Sequence, residues 1–212
     1  MRPMIAVVGR GVFRGVLAGA LGIALLAGPV TTPCGPSAVF ASSVASAPSK
    51  PVVVAEVRGI PRFQEIEPGL SRGGQPNRDG YRFLRDQGYR TVISFRKNDD
   101  ERRELERLGI NYVEIPMQAG LFSASTPTEE DLQRFFATLS DSMAHPVFIH
   151  CRHGKDRTGA MTALYRVQSC GWSNEEAVRE MKERGFSGHY KKLMRFVREY
   201  VPRATFTANS GD

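Results

Sequence analysis

The chain has 212 residues, enough for one domain with a stable core and too few for two large ones. Hydrophobic residues make up 41%, charged residues 24% and aromatic residues 9%, which excludes a disordered, collagen-like or disulfide-scaffold protein. The net charge of +7 raises nucleic acid as a partner, but Arg2, Arg10 and Arg14 supply three of those charges in a stretch without any acid. The remaining excess is small and lacks interleaved aromatics, so no nucleic-acid partner is expected.

Those three arginines precede Val16 to Val30, an uncharged run rich in Leu, Ala and Gly. Val39-Phe40-Ala41 then resembles a small-residue cleavage site before Ser42. A positive start, a short apolar run and a small-residue exit predict a signal peptide over 1–41 and an exported, periplasmic or secreted protein. The alternative is a retained N-terminal membrane anchor. The run is short for a span of about 20 residues, so no stable membrane span is expected in the mature chain. Residues 42–56 open on a Ser/Ala/Pro-rich stretch and are expected to be a flexible linker. The folded domain is expected over 57–203, with a disordered tail over 204–212.

Within that domain, Phe63–Ile66 and Leu70–Ser71 read as short extended pieces, broken by Pro68-Gly69 and Gly73-Gly74. Asn77 caps a helix with Tyr81 and Leu84 on one face, ending at Gly88. Arg90–Phe95 is β-branched and apolar, a strand. Asn98 caps a charged helix running to Gly109, and Asn111–Ile115 is another strand. After a loop of small and polar residues, Met117 to Ser125, Thr126-Pro127-Thr128-Glu129 forms a capping box with proline at the first helical position. Its helix sets Leu132, Phe135, Phe136, Leu139 and Met143 in one buried stripe.

Pro146–His150 is a short buried strand, and the next helix begins around Thr158. Ser173 and Glu176 form a second capping box, with Ala177, Val178 and Met181 inward. Leu193, Phe196, Val197 and Tyr200 stripe the last helix before Pro202. These stripes are core rather than cofactor sites. Strands alternating with helices predict an α/β fold, a central and mostly parallel sheet flanked by helices.

The segment His150-Cys151-Arg152-His153-Gly154-Lys155-Asp156-Arg157-Thr158-Gly159 leaves a buried strand and opens a helix. Loop amides and the unpaired N–H groups of a helix start make an anion cradle there. A cysteine at its entrance has its thiolate stabilised, with a pKa below ~8.5. Arg157 can fold back and hold two oxygens of a phosphate with its planar fork. Gly154 lets the loop turn, and Gly159 permits close packing of the helix start.

This segment resembles the signature of the cysteine-dependent protein tyrosine and dual-specificity phosphatases, His-Cys, five residues, then Arg-Ser/Thr. His150, Cys151, Gly154, Arg157 and Thr158 fill every defining position. Leu70-Ser71-Arg72-Gly73-Gly74-Gln75-Pro76 also resembles an entry segment of bacterial and plant or fungal members. The resemblance covers roughly residues 60–200 and implies a phosphatase-like α/β fold of dual-specificity size, without metal or cofactor. It implies that Cys151 attacks phosphorus and that water hydrolyses the phosphocysteine. Arg157 and the loop amides would stabilise the equatorial oxygens. Thr158 would support the sulfur as leaving group, and His150 would orient the loop.

Most of the superfamily takes its acid from an aspartate on a separate loop, expected here at Met117 to Ser125. That stretch holds no carboxylate. Glu129, Glu130 and Asp131 fall in a helix's first turn, where dipole and capping service explains them. Asp156 is the candidate acid instead, because the like charge of a bound phosphate favours its protonated form. Lys155-Asp156-Arg157-Thr158 resembles exported lipid and tyrosine phosphatases of bacterial pathogens and, more loosely, myotubularin-type lipid phosphatases, which assign this aspartate that role. The alternative for Asp156 is a hydrogen-bond acceptor that braces the loop.

Arg152, His153 and Lys155 ring the site with positive charge. They favour a substrate with more than one anionic group, an inositol phosphate, a phosphoinositide, or a phosphorylated protein with acidic flanks. Two other classes compete, a rhodanese-type sulfurtransferase and a phosphate-binding pseudophosphatase. The Arg-Thr ending disfavours the first, and the presence of both Cys151 and Arg157 disfavours the second. Cys170 lies a helix of roughly 18 Å away from the loop, beyond the reach of a disulfide to Cys151. Two free thiols are therefore expected.

Overall fold

A computed structural model describes residues 57–118, 120 and 124–206. The expected signal peptide (1–41), the linker (42–56) and the last residues of the tail (207–212) lie outside the described residues.

One sheet holds β1 (Gln64–Glu67), β2 (Leu70–Gly74), β3 (Thr91–Ser94), β4 (Asn111–Glu114) and β5 (Val147–Cys151), in spatial order β1-β2-β5-β3-β4. β1 runs antiparallel to β2, and every other pairing is parallel. The helices are α1 (Arg78–Asp86), α2 (Asp99–Arg107), α3 (Glu129–Ser140), α4 (Asp156–Cys170), α5 (Asn174–Glu183) and α6 (Lys191–Arg198). The expected α/β architecture is the observed one.

Successive strand residues face opposite sides of a sheet, and β3 and β5 use this fully. Val92 and Phe148 pack with Tyr81, Leu84 and Leu105 of α1 and α2. Ile93, Val147, Ile149 and Cys151 pack with residues of α3 to α6. Each fully buried Leu, Ile or Phe contributes about 1.5–3 kcal/mol through lost apolar exposure. The same alternation turns His150 toward α2 and Cys151 toward α4. In an α/β sheet, ligands bind beyond the carboxyl ends of the strands, which is where the Cys151 loop stands.

Several local expectations shift. β2 continues through Gly73 and Gly74 instead of breaking there. A Cβ on Gly73 would approach Ile60 and Phe148 to 2.9 Å, so glycine serves close packing within the strand. The capping box of α3 lies two residues later than expected, with Thr128 accepting from the Asp131 amide and Asp131 from the Thr128 amide. Pro127 therefore precedes the cap. Both frames fit the sequence pattern, and each offers a carboxylate to its cap amide, Glu129 in the first and Asp131 in the second.

Met143 leaves the predicted stripe. α3 stops at Ser140, Asp141 caps a 3-10 turn over Ser142–Ala144, and Met143 is 72% exposed. The tail expected from residue 204 opens on a further 3-10 turn, Ala204–Phe206, whose Phe206 stacks on Phe136. Cys170 is disulfide-bonded, so the expectation of two free thiols fails; Cys151 is the free thiol among the described residues. As expected, the two are not joined to each other.

Candidate active site

The loop from Arg152 to Lys155 joins β5 to α4 and is held from outside by its carbonyls. The Gln75 amide donates to Arg152 O at 3.2 Å, Arg62 Nη1 to His153 O at 3.2 Å, and Arg72 Nη2 to Gly154 O at 2.9 Å. Three consecutive carbonyls are thus satisfied from outside the loop by one upstream segment. The loop amides are left for the interior, and those of His153 and Thr158 point at the Cys151 sulfur. Gly154 has φ +68, and a Cβ there would come within 2.4 Å of the Gly73 backbone, so only glycine fits this approach.

Cys151 is 3% exposed at the end of β5. Burial alone would push its thiol up. The Thr158 hydroxyl and amide, the Arg157 charge and the His153 amide outweigh burial and bring it below the ordinary thiol value. Thr158 is fully buried in the first turn of α4, and its hydroxyl and amide are among the groups that favour the Cys151 thiolate.

Arg157 is anchored by a single nitrogen. Its Nη1 donates to Phe95 O at 3.0 Å and Met117 O at 2.9 Å, where the chain leaves β3 and β4. Its Nε and Nη2 have no partner among the described residues. Asp156 Oδ1 accepts the Ser187 amide at 2.6 Å, tying the loop to the α5–α6 connection. That is the bracing contact anticipated for it, and its Oδ2 has no partner among the described residues.

The remaining loop residues divide by exposure. Arg152 and His153 are exposed, while Lys155 lays its stem along Gly185. Partial burial and the charges of Arg152, Arg62 and Lys155 lower the His153 pKa from its ordinary value. A Cβ on Gly159 would lie 3.2 Å from Met181, so this glycine brings α4 against α5.

Residues 50–199 match the family model described as a DSP-PTPase phosphatase fused to NAD+ kinase. The chain belongs to this dual-specificity phosphatase family. It is 30% identical over 173 residues to the dual specificity protein phosphatase TpbA of Pseudomonas aeruginosa, covering 82% of this chain and 72% of that protein. It is 30% identical over 157 residues to human phosphatidylglycerophosphatase and protein-tyrosine phosphatase 1, covering 68% of this chain and 77% of that one. The crystal structure of P. aeruginosa TpbA superposes with a TM-score of 0.56 at 27% identity, covering 66% of this chain and 84% of that chain. The chain is a cysteine-dependent phosphatase, and the sulfurtransferase alternative falls.

In this phosphatase the carboxylates that follow Met117 to Ser125 are engaged in ion pairs and a helix cap. Glu129 pairs with Arg203, Glu130 with Arg134, and Asp131 closes the cap of α3. The residues that sequence reasoning missed lie behind the loop. His150 Nε2 is 2.8 Å from Glu101 Oε1, and both side chains are fully buried. Glu101 also accepts from Gln75 Nε2 and the Tyr81 hydroxyl at 2.8 Å, and from Ser94 Oγ at 3.1 Å. Burial pushes its carboxyl up, but His150, Tyr81 and Gln75 outweigh that and hold it below the ordinary range. An ionised carboxylate is thus sealed behind the strand that carries Cys151.

A signal for it existed. Leu105 is the only apolar residue of α2, and Glu101 lies one turn before it on the same buried face. Arg72 had a comparable signal, since it shares a face of β2 with Leu70 and is 3% exposed. Burial and the Arg184 charge bring Arg72 down to about 10, still protonated at neutral pH.

Proposed function

We propose that the phosphatase hydrolyses phosphate esters through a phosphocysteine on Cys151. The observation that carries this reading is a buried cysteine whose thiol is lowered by loop amides, the Thr158 hydroxyl and Arg157. The Cys151 thiolate attacks phosphorus, the S–P bond forms, and the bond to the leaving oxygen breaks. Arg157 Nε and Nη2, with the loop amides, hold the equatorial oxygens as charge redistributes. Water then attacks phosphorus, the S–P bond breaks, inorganic phosphate leaves, and the Thr158 hydroxyl receives the returning thiolate charge.

Asp156 supplies the proton in the first step and takes one from water in the second. Its Oδ1 is fixed by Ser187, which leaves Oδ2 with a constant aim. Asp156→Asn should then slow turnover more as the leaving group becomes more basic. A loss independent of the leaving group would sink the role and leave Asp156 as a brace.

The substrate carries more than one anionic group. Arg152, His153 and Lys155 belong to the same loop as Cys151, and the relatives named above are by name a dual specificity protein phosphatase and a phosphatase of both a phospholipid and protein tyrosine. Phosphorylated proteins, inositol phosphates and phosphoinositides are the candidate classes. The full chain assayed on phosphotyrosine and phosphoserine peptides, phosphoinositides and inositol phosphates, with Cys151→Ser as the blank, tests the reading. Equal turnover by that variant would refute it.

The chain is also proposed to be exported, on the strength of the arginine-led apolar segment at its N-terminus. Fractionation of producing cells tests this, and full retention in the cytoplasm would overturn it.

A further inference from the structure

Arg96 follows Phe95, whose carbonyl anchors Arg157, so it leaves the sheet at the carboxyl edge where the phosphate loop stands. Its Nη1 donates to Gln75 Oε1 at 2.8 Å, and it makes no ion pair among the described residues. Gln75 cannot reverse its amide. Its Nε2 donates to the Tyr81 hydroxyl at 2.6 Å and to Glu101 Oε1 at 2.8 Å, and an ionised carboxylate can only accept. Gln75 Oε1 must therefore face Arg96.

Ser94 Oγ gives its single proton to Glu101 Oε2 at 3.1 Å, so it does not also hold Arg96 O, 3.3 Å away. The Gln75 amide meanwhile donates to Arg152 O, which sets Gln75 against the phosphate loop. Burying an ionised carboxylate costs desolvation free energy. Here that carboxylate orients one guanidinium beside the loop without neutralising it, and leaves Arg96 Nε and Nη2 unpartnered among the described residues.

We propose that Arg96 is a second anion contact of the active site, taking a further phosphate of the substrate beside the one held by the Cys151 loop. The ligand is a polyol with at least two phosphates, free or as a lipid headgroup. This rests on the phosphatase reading above and adds a residue that selects the substrate. Glu101 and Gln75 are positioning residues for it.

The test uses the full chain and three substrates, para-nitrophenyl phosphate, a soluble inositol polyphosphate and a phosphoinositide in vesicles. Arg96→Gln should lower kcat/KM on a polyphosphorylated substrate roughly 10- to 100-fold more than on para-nitrophenyl phosphate, mainly through KM. Gln75→Leu should shift the same ratio by less, and Arg96→Lys should recover part of it. A selective loss on the soluble compound or on the vesicles alone supports the contact and identifies the source. Equal losses on all three substrates would overturn it, as would a greater loss on an acidic-flanked phosphotyrosine peptide than on either polyphosphate.

Binding gives a second measurement. Titration of the inositol polyphosphate into Cys151→Ser and into Cys151→Ser/Arg96→Gln should differ at least tenfold in Kd, and equal values would overturn the contact. If the wild-type chain turns over none of the substrates, the phosphatase reading fails, and this titration still decides Arg96. Matching thermal midpoints would show that the variants fold.

Discussion

Two sets of arginines in this protein are built differently. Around the site, Arg62, Arg72, Arg96 and Arg157 donate to neutral oxygens, three to backbone carbonyls and one to a side-chain amide. Away from it, Arg103, Arg107 and Arg134 pair with carboxylates one helical turn away. A carbonyl satisfies a guanidinium's geometry without cancelling its charge; a carboxylate cancels it. The first set therefore stores positive field for an anion, while the second decorates helix surfaces. Glu101, a fully buried carboxylate behind the site, meets His150, Tyr81, Gln75 and Ser94 rather than an arginine.

The largest effect should come from Arg157. Arg157→Lys keeps the charge but loses the planar fork, and kcat should fall on the order of 100- to 1,000-fold. A fall of less than tenfold would mean that charge alone, not the geometry set by Phe95 and Met117, defines the first set. Next comes Arg72→Leu, which leaves Gly154 O buried without its donor. About 1–3 kcal/mol of stability should be lost, roughly 2–12 °C in Tm, with at least a tenfold drop in kcat. An unchanged melting point would show that the loop needs no outside support.

A smaller effect concerns the field itself. The Cys151 thiol is lowered, so its thiolate persists at a pH where an ordinary thiol is protonated, and it is lost only as pH falls further. Thr158→Ala removes one cause of the lowering, so the midpoint should move up. Iodoacetate labelling of Cys151 near pH 6 should then slow several-fold, and an unmoved profile would transfer that role to Arg157 and the amides. The least effect belongs to the second set. Arg103 and Arg107 are 61% and 67% exposed, and replacing either with leucine should change stability by under about 1 kcal/mol and leave kcat as it was. A loss comparable to that of Arg72→Leu would erase the distinction between the two sets.

Most of the chemistry was legible because it is contiguous. His150 to Gly159 lies on one strand, one turn and one helix start, so spacing alone reports the cradle. Helix starts were nearly as readable where a single cap fits, as at Asn77, Asn98 and Ser173. Where two frames fit, as at Thr126 and Thr128, local pattern could not choose. Met143 and Phe206 were misjudged because a 3-10 turn after α3 and another near the C-terminus depend on what the chain packs against. The length of α4 bounds only the distance from Cys170 to Cys151 and carries no information on another partner for Cys170.

The supporting shell escaped for a different reason. Arg72 and Gly154 are 82 residues apart, Gln75 and Glu101 are 26 apart, and Arg157 and Phe95 are 62 apart. No short-range period links such pairs; only the parallel pairing of β2, β5 and β3 brings them to one edge.

By itself, then, the sequence singled out the candidate nucleophile, the arginine beside it and the α/β class, since each depends on neighbours within a turn or a strand. It also showed that the overall +7 is not one basic surface. Tertiary structure alone decided which arginines keep their charge for an anion, which carboxylate is sealed away, and where Asp156 is tied. Those outcomes depend on which oxygen lies across the sheet from each guanidinium, and chain order does not encode that distance.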